Sequence, residues 1–171
     1  MRSKKGSIVI SLVALLVLGW VGFIFYMSSQ SATNSGHMSQ RLTLFLITVA
    51  EKIGALTEGS SNYPYLVQKY DSMVRSLAHM GMYFLLCLIL SLVFKYLNLK
   101  RWAIKSLTIC TVISILDELN QMNYKGRNDF GQLNSGLEDL LKDFFGTLTA
   151  LVAALCIINI VNFIRNKKLS G

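Results

Sequence analysis

Every one of the nine carboxylates in this chain falls on one side of the membrane that its own apolar stretches define. Four such stretches occur, at about residues 7–27, 77–94, 103–119 and 144–164, the third free of acidic residues only as far as Leu116. The two ends and the middle hinge carry Arg2, Lys4 and Lys5; Lys95, Lys100, Arg101 and Lys105; and Arg165, Lys167 and Lys168. The other two connections hold Glu51, Glu58, Asp71, Asp117, Glu118, Asp129, Glu138, Asp139 and Asp143. Lys and Arg next to membrane helices are retained in the cytoplasm, and this bias sets orientation. The pattern predicts an all-α, polytopic four-helix transmembrane bundle in the cell membrane, with N- and C-termini cytoplasmic. Its polar connections then face outward.

Composition agrees. With 53% hydrophobic and 15% charged residues among 171, the chain is too apolar for a soluble domain of its size. Spans of about 20 residues each leave too little, too scattered, for a second core, so residues 1–171 read as a single membrane domain. The net charge of +8 sits at helix ends, where it sets topology and meets anionic head groups. That placement argues against a nucleic-acid partner. The apolar run from Ile8 to Phe25 exceeds the hydrophobic region of a secretory signal and reads as an uncleaved anchor. Cys87, Cys110 and Cys156 lie in three different apolar segments, with neither a disulfide framework nor zinc-site spacing.

The long connection after the first span contains Leu42, Phe45, Leu46, Val49, Ile53 and Leu56, at helical spacings of three and four. They predict an extra interfacial helix in the first outer loop, with the stripe as packing surface. Gly54 and the charged Glu51-Lys52 pair argue against a full crossing. Gly59 to Pro64 reads as loop, as does Asn128 to Gly136. A helix restarts at Leu137, with Asp139 and Asp143 in its first turns, where they also suit the helix dipole. Gly146, Ala150, Ala153 and Ala154 offer small side chains for close helix approach and a candidate homodimer face.

The polar residues share a depth. Arg75, His79 and Tyr83 are spaced four apart at the outer end of the second span, Asp117, Glu118 and Gln121 close the third, and Asp139 and Asp143 open the fourth. Ser28, Ser29 and Gln30 close the first. Ionisable groups at membrane depth face the bundle interior, pair, or line a wet cavity. Asp117 projects with Gln121, and Asp139 with Asp143, because residues four apart share a helix face.

These same runs carry a resemblance. Ser28-Ser29-Gln30, then Arg75-x-x-Ala78-His79-x-x-x-Tyr83, then Asp117-Glu118-x-x-Gln121 with Gly126-Arg127, and finally Asp139-x-x-x-Asp143-x-x-Gly146 resemble the VanZ-like family of membrane proteins. Four ordered motifs cover nearly the whole chain. Met82 stands where that family often has Glu, and the loop between Arg127 and Asp139 is long. The resemblance implies an envelope role linked to glycopeptide (teicoplanin) susceptibility and hence antibiotic resistance.

Several readings of the constellation stay open. As a membrane hydrolase or group transferase on an anionic lipid-linked substrate, the chain would use Arg75 and Arg127 to hold the head group. His79 with Asp117 or Glu118 would then move protons, while Ser29, Gln30 and Gln121 touch substrate. Tyr83, Asp139 and Asp143 would support them. As a binding module, the same pocket would hold a membrane lipid, cell-envelope precursor or lipoglycopeptide unchanged. As a structural protein, its polar cluster would only lock the helices. The carboxylates are also the ligand type of a divalent cation, although no EF-hand-type loop supports that. A transporter is disfavoured by four short spans without a pair of broken helices.

Overall fold

The computed structural model describes residues 4–30, 32–56, 63–122 and 132–169. Regular structure among them is entirely helical: α1 (Lys4–Ser28), α2 (Ala32–Lys52), α3 (Tyr63–Tyr96), α4 (Trp102–Met122) and α5 (Gln132–Leu169). Three helices are long and apolar enough to cross a membrane, over Ile10–Ser28, Pro64–Tyr96 and Gly136–Lys168. At 21 residues and about 1.5 Å per residue, α4 has the length to cross, but its composition is more polar. The reason is visible in its burial. Ser106, Cys110, Ser114, Asp117 and Gln121 turn inward, while Ile104, Val112, Ile115, Leu116 and Leu119 turn outward. This is a helix with its polar stripe inside.

Helix boundaries differ from the sequence reading in two places. Pro64 lies in the first turn of α3 rather than in a loop. A proline costs nothing there, because first-turn amides have no intrahelical acceptor. Similarly, α5 begins at Gln132, not Leu137, so it has no acidic residue in its first turn. Asp139 and Asp143 are therefore too far along the helix for a dipole explanation, since that effect fades within one turn.

Two helix ends close in the same way. At the end of α2, Ala55 N–H donates to Ala50 O at 2.8 Å and Gly54 N–H to Glu51 O at 2.9 Å, with Gly54 at φ 73°. After α3, Leu99 N–H donates to Phe94 O at 3.0 Å and Asn98 N–H to Lys95 O at 2.9 Å, with Asn98 at φ 55°. Both satisfy the last carbonyls through a left-handed residue, a position that Gly and Asn tolerate. The second end turns the chain from α3 into the antiparallel α4.

The core lies where α3 meets its neighbours: Tyr83, Leu86, Cys87 and Leu90 pack with Ile24 of α1, Cys110 of α4 and Ala150 of α5. The most extensive pairing is α3 with α5. Gly146, Ala150 and Ala154 are buried, and an added Cβ at Gly146 would lie 2.3 Å from Met80 O. Gly146 of the small face thus packs directly against α3. In contrast, α2 packs chiefly on α3. Its buried residues are Thr43 and Ile47, while Phe45, Val49 and Ile53 are exposed. The apolar stripe read as packing surface is mostly exposed, with Leu56 half-buried.

Candidate functional site

Arg75, His79 and Tyr83 form a graded column on one face of α3. Each step of four residues descends about 6 Å, and exposure falls in parallel. The Arg75 side chain is 45% exposed and the His79 side chain 17%; Tyr83 is fully buried. The column leads from a rim into the bundle.

At the level of His79, polar groups from three helices meet. His79 Nδ1 faces Asp143 Oδ1 of α5 at 3.5 Å. The Ser114 hydroxyl of α4 donates to Asp143 Oδ2 at 2.6 Å, which fixes the carboxylate. One turn further along α4, Gln121 Nε2 donates to Asp117 Oδ2 at 3.2 Å. Tyr83 Oη, His79 Nδ1, Asp117 Oδ1 and Asp143 Oδ1 are buried and hydrogen-bonded to no other protein atom. Buried polar atoms are nearly always satisfied, and these four lie in the same polar cluster.

His79, Asp117 and Gln121 of this cluster also line a cavity of about 240 Å³ between α1, α2, α3 and α4. His79, Asp117, Gln121 and Ser28 supply polar surface, with Arg75, Ser35 and Ser39 toward α2. Ile24, Met27, Met38, Leu42, Val74, Ala78 and Met82 supply the apolar walls. At the rim Arg75 Nη2 lies 3.9 Å from Asp71 Oδ2, and the Ser39 hydroxyl of α2 also donates to Asp71.

The remaining site residues take other places. Asp139 accepts a hydrogen bond from its own helix neighbour Lys142 at 2.7 Å. Glu118 turns toward Gly136 of α5 and does not line the cavity. The Ser29 hydroxyl donates to Phe25 O at 2.7 Å, and Gln30 Nε2 donates to the exposed Tyr26 O at 3.2 Å. Arg127, assigned from sequence to the site, lies outside the described residues. Among those described, no group of three or more His, Cys, Asp or Glu side chains is placed to hold a metal ion.

Two residues that sequence reasoning passed over tie the site together. Ser114 positions Asp143; it lies three residues before Asp117, which puts it on the same face. Asn120 Nδ2 donates to Ser28 Oγ at 3.0 Å and Ser29 Oγ at 3.1 Å, while the Ser28 hydroxyl donates to Asp117 O at 3.3 Å. These bonds fasten α1 to α4 and explain the paired serines. The α2 contribution from Ser35, Met38 and Ser39 carried no sequence signal, because it depends on how α2 docks.

A protein-family model described as VanZ/LLP1 matches residues 13–160. The chain belongs to the VanZ/LLP1 family. The matched span begins inside α1 and ends inside α5, so it includes the whole cavity and the polar cluster beneath it. With three helices apolar enough to cross a bilayer, this VanZ/LLP1 member is a membrane protein. No curated protein and no solved structure matches it.

Proposed function

We propose that this VanZ/LLP1 protein holds an amphiphilic cell-envelope compound, a lipid or lipoglycopeptide, in an outward-facing cavity and thereby alters glycopeptide (teicoplanin) susceptibility. The observation that carries this reading is the division of the cavity into apolar walls and a buried polar floor. At about 240 Å³ it is smaller than the roughly 300–1,000 Å³ of sites that enclose a drug-sized ligand. It suits a polar head with the first part of a chain, the remainder lying between helices or in lipid. Mass spectrometry of compound copurified with the protein tests this directly. Ala78→Phe, which fills the cavity from its wall, should abolish copurification with little change in melting temperature. Retention of the same compound by that variant would place it elsewhere.

In this reading α4 is a fourth crossing, shielded by its inward polar stripe, and both termini are cytoplasmic. The basic ends and hinge support that orientation. Ile53 lies between α2 and α3 and Lys100 between α3 and α4, and both are exposed. Ile53→Cys should react with an impermeant thiol reagent in intact cells, and Lys100→Cys only after the membrane is opened. The reverse pattern would turn the cavity to the cytoplasm.

One observation favours a catalytic version of the same site. Asp143 faces Nδ1 of His79, an arrangement that orients the ring and leaves Nε2 as a proton acceptor. Hydrogen bonds of this kind often tighten from such distances when substrate binds. His79 would then act as acid/base in hydrolysis or group transfer.

A further inference from the structure

Helices α1, α3 and α4 all pack on one another, and α2 joins them chiefly through α3. Trp20 Nε1 of α1 donates to Met82 O of α3 at 3.0 Å, Asn120 of α4 holds Ser28 and Ser29 of α1, and the Ser39 hydroxyl of α2 donates to Asp71 of α3. Among the described residues, α1 and α2 follow each other in the chain but share no extended contact. Both nevertheless line the cavity. Its open edge can be read from exposure. Asp117 and Gln121, the lining residues of α4, are buried, whereas Met38 and Leu42 of α2 are 42% and 44% exposed. Ala78, also exposed, stands on α3 one turn before Met82, the residue to which α1 is tied. The mouth therefore lies between α1 and α2, with apolar sides and Arg75 at one edge beside Asp71. Polarity rises inward, toward His79, Asp117 and Gln121.

We propose that the cavity is filled sideways from the bilayer: a lipid enters head group first between α1 and α2, and its acyl chain stays against Met38, Leu42 and Ala78. This rests on the amphiphile reading above and narrows the ligand to a compound already resident in the membrane. The depth of the mouth supports it. Ile24 and Met27 line the cavity and belong to the apolar span Ile10–Ser28, so the opening lies at the end of a crossing segment and not beyond it. A mouth at that depth meets lipid. An acyl chain that slides in along apolar side chains never has to cross water, and each methylene kept dry favours this route. The head group leaves the membrane interface for the polar lining within, where groups at membrane depth face a cavity instead of hydrocarbon.

The test grows cells expressing the full chain on a fatty acid that carries a diazirine near its carboxyl end, so that the membrane lipids themselves become the probe. Irradiated protein is then mapped by peptide mass spectrometry. Ile24 lines the cavity and is 1% exposed, so a lipid chain reaches it from inside, whereas its neighbour Phe23 is 43% exposed and reports lipid that stays outside. Adducts should form at both. Leu42→Trp, which narrows the mouth, should lower the ratio of Ile24 to Phe23 adducts about tenfold, the equivalent of about two lost methylene contacts. Leu42→Ala, which widens it, should preserve the ratio. Labelled Phe23 with unlabelled Ile24 overturns sideways entry; the amphiphile reading then stands if a compound still copurifies, and falls with it if none does. An Ile24 adduct indifferent to Leu42→Trp also overturns the proposal, because the chain comes by another way. So does labelling of Phe23 without Met38 or Leu42, which means that protein covers the mouth. If Leu42→Trp does not fold, the comparison of Ile24 with Phe23 in the unsubstituted chain decides the question.

Discussion

The Gly146→Ala variant will melt well below the unsubstituted protein. Helix α5 passes so close to α3 that a Cβ at position 146 would sit 2.3 Å from Met80 O and 3.0 Å from Met80 C and Cα. The obstacle is backbone, which cannot rotate aside as a side chain can, so the helices must separate. Overpacking of this kind costs about 1–3 kcal/mol, and backbone resistance places the cost at the upper end. Alanine's better helix propensity offsets only about 0.8–1.0 kcal/mol of it. The contact also sets the height at which Asp143 meets His79, because Asp143 lies one turn before Gly146. Loss of ligand binding should therefore accompany the lower melting point. Gly81→Ala is the internal control. No atom outside its own neighbourhood lies within 4 Å of a Cβ there, so this variant should melt at the same temperature or higher. Equal melting of the two variants would show that the α3–α5 approach is looser than described.

His79→Gln should remove activity without unfolding the protein. Glutamine keeps a polar side chain of similar reach but cannot exchange a proton near neutral pH. If His79 carries out acid/base chemistry, loss of that step lowers the rate by about 100-fold to 10,000-fold. Asp143→Asn should act in the same direction by releasing the ring it faces, with the Ser114 hydroxyl free to turn to the new amide oxygen. The measurements are teicoplanin susceptibility of cells expressing each variant and melting curves of the purified proteins. Full activity in His79→Gln would exclude the catalytic version and leave a binding site. Activity and melting temperature falling together in both variants would instead support a polar cluster that only locks helices, since stranding a buried charge destabilises a fold by several kcal/mol.

Much of the site was legible from local spacing. Arg75, His79 and Tyr83 at intervals of four had to share a face of α3, and Asp117 had to project with Gln121, because side-chain direction within a helix follows its period. The helix starts were less visible. Tyr63 and Gln132 open their helices amid polar residues without an apolar rhythm, and a proline in the first turn looks like a loop signal until the turn is seen. The stripe on α2 misled for a related reason. In a protein surrounded by lipid, apolar residues do not have to face the protein, and close helix contacts go to small residues such as Gly146. Hydrophobic periodicity thus loses its power to say which face is inside.

From sequence alone came the helical class, the membrane location and the family, all of which are local or additive properties of the chain. Tertiary structure decided the meetings: His79 with Asp143, Ser114 as the holder of that carboxylate, Asn120 as the bridge from α4 to α1, and α2 as a cavity wall. Such contacts depend on the axial offset and rotation of one helix against another. A shift of a single residue moves a side chain about 1.5 Å along the helix and about 100° around it. Here one such offset is set by the approach of Gly146 to Met80, a distance that no residue spacing encodes.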